Sequence, residues 1–320
     1  MYGGTESVID ALARGLTEAG HEVLLVATGD STCPVPRSWV IEHAEQGKLG
    51  LIAPALRHAC HAYQAVRGCD VVHDHTDIGP LLARSSAVPV LTTNHGPFTS
   101  DVGQMLRSVG DHVGVIAISH HQASTAGGIP IAAVIHHGLA LDTFPFGEGD
   151  GGYFAFLGRM TPEKGAKRAV LAARAFGARL LIAAKMREHS ERVYFREQVE
   201  PLLNSRIRYI GEIDGRSKRG FLGGATALLN PIRWPEPFGL VMIESLACGT
   251  PVLTFGEGAA PEIVENAVTG YVCTDDDDMV DTMRTVGKLS RRRCRKAAED
   301  RFSMDRVVTE HLEIYRRFIG

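Results

Sequence analysis

The chain alternates, almost from end to end, between short apolar runs and longer segments whose apolar positions recur every three or four residues. Runs rich in Val, Ile and Leu predict strands buried on both faces, and the longer period predicts helices packed on them. After Gly3-Gly4, positions 5–19 place Val8, Ile9, Leu12 and Leu16 on one helical face, and Gly20 closes the helix. Apolar runs at 23–27, 70–73, 88–92, 113–118 and 132–135 predict five strands, each ending in polar residues. Gly147-Glu148-Gly149-Asp150-Gly151-Gly152 has no apolar side chain and predicts a flexible, nearly featureless linker.

Beyond that segment the alternation restarts. Strands are expected at 153–157, 179–183, 207–210, 226–230, 251–254 and 271–273, with helices at 166–176, 191–203, 216–223, 239–248 and 261–265. Terminal helices are expected at 277–288, 290–299 and 304–318; the last carries Val307, Val308, Leu312, Tyr315 and Phe318, too apolar on one side to stand free. At 320 residues the chain exceeds what one core usually supports. The expectation is α/β: two doubly wound Rossmann-like domains, 1–146 and 153–302, followed by a closing helix at 303–320. Ligands of such sheets bind outside the strands' carboxyl ends.

Composition narrows the classes. Hydrophobic residues make up 44% and charged residues 22%, as in ordinary globular proteins, and a net charge of −3 gives no electrostatic reason to expect nucleic acid. Cysteines at 33, 60, 69, 248, 273 and 294 form no C-x-x-C pair, which argues against a disulfide framework or zinc ribbon and suits a reducing cytosol. No run approaches a transmembrane length and the first positions do not read as a signal peptide, so a soluble, cytoplasmic protein is expected. The basic cluster Arg291-Arg292-Arg293-Cys294-Arg295-Lys296 reads as one solvated helix face, with weak peripheral contact to an anionic membrane as the alternative.

The densest chemistry lies at Glu236-Pro-Phe-Gly-Leu-Val-Met-Ile-Glu244. Pro235 and Pro237 keep Glu236 outside a helix that begins near Gly239 and ends at Gly249, with Pro251 beyond. The amides of Phe238, Gly239, Leu240 and Val241 then form a helix N-terminus without intrahelical partners, an anion site suited to phosphate. Glu244 lies more than a turn inside, within reach of a diol such as a ribose. Among apolar Leu240, Ile243, Leu246 and Ala247, a lone acid needs a partner. Arg159 and Lys164 follow strand 153–157; on their own they are an exposed loop pair or a grip for two adjacent phosphates.

The E-x7-E pattern resembles the signature of the retaining nucleotide-sugar glycosyltransferases of family 4. Gly158-Arg159-Met160-Thr161-Pro162-Glu163-Lys164-Gly165 is similar to that family's G-R-x-x-x-x-K-G loop. Gly258-Ala259-Ala260-Pro261-Glu262-Ile263-Val264 and Thr269-Gly270-Tyr271-Val272 resemble its later blocks, and Tyr2-Gly3-Gly4-Thr5-Glu6 its N-terminal glycine loop. The resemblance covers almost the whole chain. It implies the GT-B fold, two Rossmann-like domains facing a cleft, with the closing helix crossing back to the first. It also implies a metal-independent, hexosyltransferase-type enzyme without cofactor, whose donor is a nucleotide diphosphate sugar. The acceptor stays open among carbohydrate, lipid-linked and small-molecule compounds.

Under that resemblance Arg159 and Lys164 meet the pyrophosphate, and Glu236 orients the donor sugar or stabilises an oxocarbenium-like state. His95, in Asn94-His95-Gly96-Pro97-Phe98, takes the family's acceptor-side position; otherwise it is a capping or core histidine. Gly4 and Thr5 open a second helix N-terminus, a second anion site for the donor, and Glu244 also meets the donor. Lys185 and Glu212, at the ends of strands 179–183 and 207–210, are the places for the nucleotide base. Acceptor loops are expected at 29–50 and 96–112.

Two departures matter. The family often has glycine where Ala184-Lys185 stands, and it starts with a strand that this chain lacks ahead of its glycine loop. Four or five lost apolar side chains remove about 6–15 kcal/mol, comparable to a domain's stability of about 5–15 kcal/mol. The native product is therefore expected to begin about 15–30 residues upstream of Met1.

Rival readings share some of these residues. His73-Asp74-His75, His95, His120-His121 and His136-His137, near strand ends, invite a metal-dependent hydrolase; polar residues capping parallel strands are the bland alternative. Asp275-Asp276-Asp277-Asp278 contains a D-x-D, read here as a helix N-cap rather than a manganese grip. A non-catalytic or decayed sugar-nucleotide binder, or a sugar-nucleotide epimerase, shares the architecture.

Overall fold

A computed structural model describes residues 4–44 and 51–320. Tyr2 and Gly3 of the glycine loop, and 45–50 of the expected acceptor loop 29–50, lie outside the described residues. The chain divides into two compact units: one runs to Gly138 and takes in Met304–Gly320, the other is Leu139–Ser303.

The first unit begins with α1 (Gly4–Glu18), then β1 (Leu25–Val26) paired in parallel with β2 (Arg37–Ser38), and α2 (Ile52–Ala65). Next come β3 (Val72–Asp74), β4 (Val90–Thr93), α3 (Asp101–Val109), β5 (Gly114–Ala117), α4 (His120–Ser124) and β6 (Ile131–Val134). Strands β3-β4-β5-β6 form one parallel sheet in that order, and β4 and β5 are buried throughout, as their unbroken apolar runs require. The expected irregular loop 96–112 is largely α3. Ser100 caps it by accepting from the Gly103 amide, and Leu106 and Val109 face the core.

The second unit holds β7 (Phe154–Arg159), α5 (Ala166–Phe176), β8 (Leu180–Lys185), α6 (His189–Tyr194), β9 (Ile207–Gly211), α7 (Gly215–Gly224) and β10 (Ala227–Asn230). It continues with α8 (Leu240–Ala247), β11 (Val252–Phe255), α9 (Ala260–Ile263), β12 (Gly270–Cys273), α10 (Asp276–Thr282) and α11 (Arg291–Arg301). Its six strands are parallel, in the order β12-β11-β10-β7-β8-β9. The helix expected over 191–203 is broken: α6 passes into a π-turn at Phe195–Val199 and a 3-10 turn at Glu200–Leu202. Pro201 lacks an amide hydrogen and its ring crowds the carbonyl one turn back, which ends regular helix there.

Last comes α12 (Met304–Ile319), which belongs to the first unit and packs on α1. Its Val307, Val308, Ile314 and Tyr315 share a core with Leu12, Leu91, Ile116 and Ile135. Val307, Val308 and Tyr315 are among the side chains whose one-sided pattern argued that the helix could not stand free; Leu312 and Phe318 pack part-buried against the same core, and Ile314 joins them.

Two expectations are corrected here. The glycine-rich segment 147–152 is not a free linker but a part of the second unit. The amides of Gly147, Gly149 and Gly151 donate to Cys248, Gly223 and Gly224 carbonyls at 3.0, 3.0 and 2.9 Å. Lacking side chains, the glycines lie flat on Gly223-Gly224: a Cβ on Gly147 would stand 2.3 Å from the Cα of Gly223. The basic cluster is not one solvated face either. Arg291 donates to the Gly147 and Ala225 carbonyls at 2.7 and 2.9 Å, and Arg295 to those of Phe144 and Ala247, both at 2.7 Å. Only Arg292, Arg293 and Lys296 of its cations are exposed, which leaves a thinner patch for a membrane surface.

Candidate donor-binding site

In the strand order of the second unit, β7 is the first strand of the chain segment and its neighbours depart in opposite directions, to β8 on one side and β10 on the other. That reversal opens a crevice beyond the carboxyl ends of β7 and β10. The loop after β7 carries Lys164, and the loop after β10 carries Glu236. Topology therefore sends two residues 72 positions apart to one place, and the Lys164 ammonium is hydrogen-bonded to Glu236 Oε2.

The backbone enforces the meeting. The Arg233 amide donates to the Glu163 carbonyl at 3.1 Å, stitching the two loops together. Gly165 has φ +84°, and a Cβ there would stand 2.2 Å from the Pro231 carbonyl oxygen, so only glycine allows this approach. On the other flank Gly258, at φ +58°, lies against Glu236: a Cβ would come within 2.3 Å of the Glu236 carbonyl oxygen. The Ala259 amide donates to that same carbonyl at 3.0 Å. These glycines belong to the two motif loops singled out in the sequence, and their role is to let the loops touch. Neither member of the ion pair is solvated freely; the Lys164 and Glu236 side chains are 28% and 17% exposed.

Helix α8 starts beside Glu236. Gly239 is its N-cap in the left-handed region (φ 99°, ψ 65°), and no side chain caps it. The first-turn amides of Leu240 and Val241 precede any intrahelical acceptor, so the end keeps the character of an anion site. Phe238 stands outside the helix with its ring buried against Phe302 at 6.2 Å, and the Met242 amide turns back to Gly239 at 3.0 Å. Phe238, Gly239, Leu240 and Val241 thus lie at the entry of α8.

Glu244 has the partner its surroundings demand. Lys218 of α7 donates to Glu244 Oε1 at 2.5 Å, with the two side chains 6% and 4% exposed. Burial draws the Lys218 ammonium below its ordinary range, and the Glu244 carboxylate pulls it back. No local pattern in the sequence pointed to Lys218.

Other candidates find different company. Arg159, the last residue of β7, donates to Glu191 Oε1 at 2.8 Å and Glu188 Oε1 at 2.6 Å on and before α6. Its guanidinium is thus occupied by carboxylates. Lys185 ends β8 beside Arg159 in register. Glu212, just past β9, receives Arg187 at 2.8 and 3.3 Å. The Asp275 carboxylate accepts from the Asp278 amide at 2.9 Å and caps α10, as read from the sequence.

Gly4, Thr5 and His95 belong to the first unit. Gly4 and Thr5 are the opening residues of α1. His95 follows β4 within a file of imidazoles: its Nε2 is hydrogen-bonded to His75 Nδ1 at 3.0 Å, and its ring stacks on His137 at 5.3 Å. His73 adds bonds to the Tyr315 and Thr93 hydroxyls, both at 2.7 Å, and His311 donates Nδ1–H to the Val307 carbonyl at 2.7 Å. Both ring nitrogens of His73 are therefore engaged by hydroxyls, and His75 by His95, which is the pattern of a hydrogen-bonded array rather than of an H-x-H metal grip.

Burial draws His95 and His311 down to about 4, and His73, His75 and His137 well below their ordinary value. At neutral pH the array is uncharged. The unfolded chain protonates these rings near pH 6.5, so the stability they contribute is complete above that pH and is lost as pH falls below it, down to about 4 for His95 and His311. Replacing His311 by Gln should flatten the decline by up to about 1.4 kcal/mol per pH unit, readable as urea-unfolding free energies between pH 7 and 5. An unchanged slope would remove His311 from the acid sensitivity.

Comparison with known proteins places this geometry. The sequence model described as "Glycosyltransferase Family 4" matches residues 2–143, and that described as "Glycosyl transferases group 1" matches residues 144–301. A phosphatidyl-myo-inositol mannosyltransferase of Mycolicibacterium smegmatis is 26% identical, over 86% of this chain and 78% of the relative. The structure of AviGT4, a glycosyltransferase involved in avilamycin A biosynthesis, is 27% identical with a TM-score of 0.73, covering 99% of this chain and 90% of that one. Anabaena HepE in complex with UDP and glucose, 20% identical, shares the fold with a TM-score of 0.76 over 97% of this chain and 95% of that one. With the two models together matching residues 2–301, and with a GT-B fold, the chain belongs to the group 1 glycosyltransferases, its first half of the family 4 type.

Proposed function

We propose that this chain is a retaining hexosyltransferase that moves a sugar from a nucleotide diphosphate sugar without a metal ion or other cofactor. The observation that carries the reading is the convergence of Lys164 and Glu236 at the β7/β10 crevice, beside the uncapped start of α8. A diphosphate leaving group carries away negative charge, and preorganised donors aimed at it are usually the largest catalytic term. Lys164 and the amides of 239–241 supply such donors. Glu236, next to them, faces the sugar that the diphosphate carries, and Glu244 takes the ribose hydroxyls.

Arg159 joins the phosphate grip by exchanging Glu188 for the diphosphate, since the Arg159 side chain stays 47% exposed and Glu188 63%. Lys185 and Glu212 flank the base, Gly4 and Thr5 serve the donor, and His95 serves the acceptor side. The mannosyltransferase relative supports a hexose as the transferred sugar. Cysteines whose thiols burial pushes up to about 11 (Cys248, Cys273, Cys294) are unreactive, which fits a reducing cytoplasm. No helix among the described residues is long and apolar enough to cross a membrane.

The test is a panel of nucleotide sugars with carbohydrate, lipid-linked and small-molecule acceptors in the presence of a chelator, read by proton NMR of the product's anomeric configuration. Retention at full rate in chelator is expected. Inversion, or loss of activity in chelator, overturns the corresponding part of the proposal, and binding without turnover points to a non-catalytic relative. In the same assay Lys164→Ala is expected to lower turnover about 10²-fold while weakening nucleotide binding much less. Equal losses in both would remove Lys164 from the leaving-group role.

A further inference from the structure

We propose that Trp234 is a positioning residue for Glu236, holding its carboxylate when the donor draws Lys164 away; this deepens, and rests on, the function proposed above. The Trp234 indole N–H donates to Glu236 Oε2 at 2.9 Å, the same oxygen that Lys164 holds. The Lys164 ammonium also lies 5.7 Å from the centre of the Trp234 ring, so indole, ammonium and carboxylate form one cluster. The chain makes this possible over three residues. The Glu236 amide donates back to the Trp234 carbonyl at 2.7 Å, a turn tight enough to bring the two side chains to one side.

The backbone of Glu236 is fixed on both flanks. Prolines bracket it, and Gly258 and Ala259 close on its carbonyl. What remains mobile is the side chain, and two donors on one oxygen set its torsions. Those donors differ in a way that matters for catalysis. An ammonium is drawn to whichever anion is nearest, and an arriving diphosphate competes for Lys164 directly. An indole N–H is uncharged and donor-only, so it stays with the carboxylate. Trp234 therefore keeps Glu236 Oε2 occupied in the donor complex and determines that the other oxygen meets the sugar.

Trp234→Phe keeps an aromatic ring and removes the N–H. Trp234→His keeps a five-membered ring whose Nε2 sits where the indole nitrogen was. Steady-state transfer is measured for both, with nucleoside diphosphate affinity and melting temperature. The expected result for Trp234→Phe is a fall in kcat of about 10-fold, with donor KM and diphosphate affinity within about twofold, and substantial recovery in Trp234→His. Wild-type kcat in Trp234→Phe overturns the proposal. So does a loss that raises KM in step with kcat, or one that Trp234→His leaves unrepaired, since either marks a merely structural ring. Glu236→Gln is run alongside: if it transfers at the wild-type rate, the reading of the site itself has failed, whereas its inactivity beside an unaffected Trp234→Phe sinks only the role of Trp234.

Discussion

Glu236→Gln is expected to reduce glycosyl transfer by about 10³-fold while the fold and nucleotide affinity stay nearly intact. The amide has the shape of the acid, and its oxygen still accepts from Trp234 and Lys164, which hold Glu236 Oε2 in the wild type. Those bonds, and the loop contacts at Glu163, Gly258 and Ala259, are kept. What disappears is a full negative charge close to the sugar. As the bond to the diphosphate lengthens, positive charge grows on the anomeric carbon and ring oxygen, and a neutral amide stabilises it far less. Lys164 simultaneously loses its ionic partner and is freer to meet phosphate, so diphosphate affinity should hold or tighten slightly. Steady-state kinetics and calorimetric titration read these two effects separately. Wild-type turnover would remove Glu236 from the chemistry.

Lys218→Met is expected to destabilise the protein by about 3–5 kcal/mol, because it leaves the Glu244 carboxylate buried without its cation. The pair joins α7 to α8, whose Met242, Ile243, Leu246 and Ala247 are buried around it, so water has little access to replace the lost partner. Adding Glu244→Leu should recover most of that stability, since removing both charges ends the imbalance. It should not recover donor affinity if Glu244 binds the ribose. Urea unfolding gives the first quantity and nucleotide titration the second. A Lys218→Met protein as stable as wild type would mean that Glu244 is solvated in solution, and a double variant with normal nucleotide affinity would confine Glu244 to structure.

How far the sequence carried depends on where each signal came from. Strands β7, β10 and β11 are buried on both faces, so their apolar runs were unmistakable, and α5 lies where its period and the following Gly177 put it. The elements that were not foreseen, α2 and α3 with the short α4 and β2, bury few side chains. In α2 only Ala59 is buried while Ile52 and Leu56 are exposed, so its apolar positions do not mark a core face. At the site, Glu236 was visible from local chemistry and Lys164 through the resemblance of its G-R-x-x-x-x-K-G loop, and the strand reversal at β7/β10 brought them together. Trp234 stood in plain view as part of a Trp-Pro-Glu-Pro loop, but an indole's hydrogen bond leaves no periodic trace. Lys218 lies 26 residues from Glu244 on another helix; only the acid's apolar neighbours announced that some partner must exist. Arg159 shows the opposite limit, since the claim of Glu188 and Glu191 on it arises wholly from tertiary packing.

Thermal denaturation with and without nucleoside diphosphates, in chelator, for wild type and Lys164→Ala, tests most directly whether Lys164 and the start of α8 grip a diphosphate. The account predicts that one nucleoside diphosphate stabilises the wild-type chain by about 2.7 kcal/mol at a hundredfold excess over its dissociation constant, and that Lys164→Ala gives a smaller shift at the same concentration. Identical shifts in the two proteins, or none with any nucleotide, would contradict it.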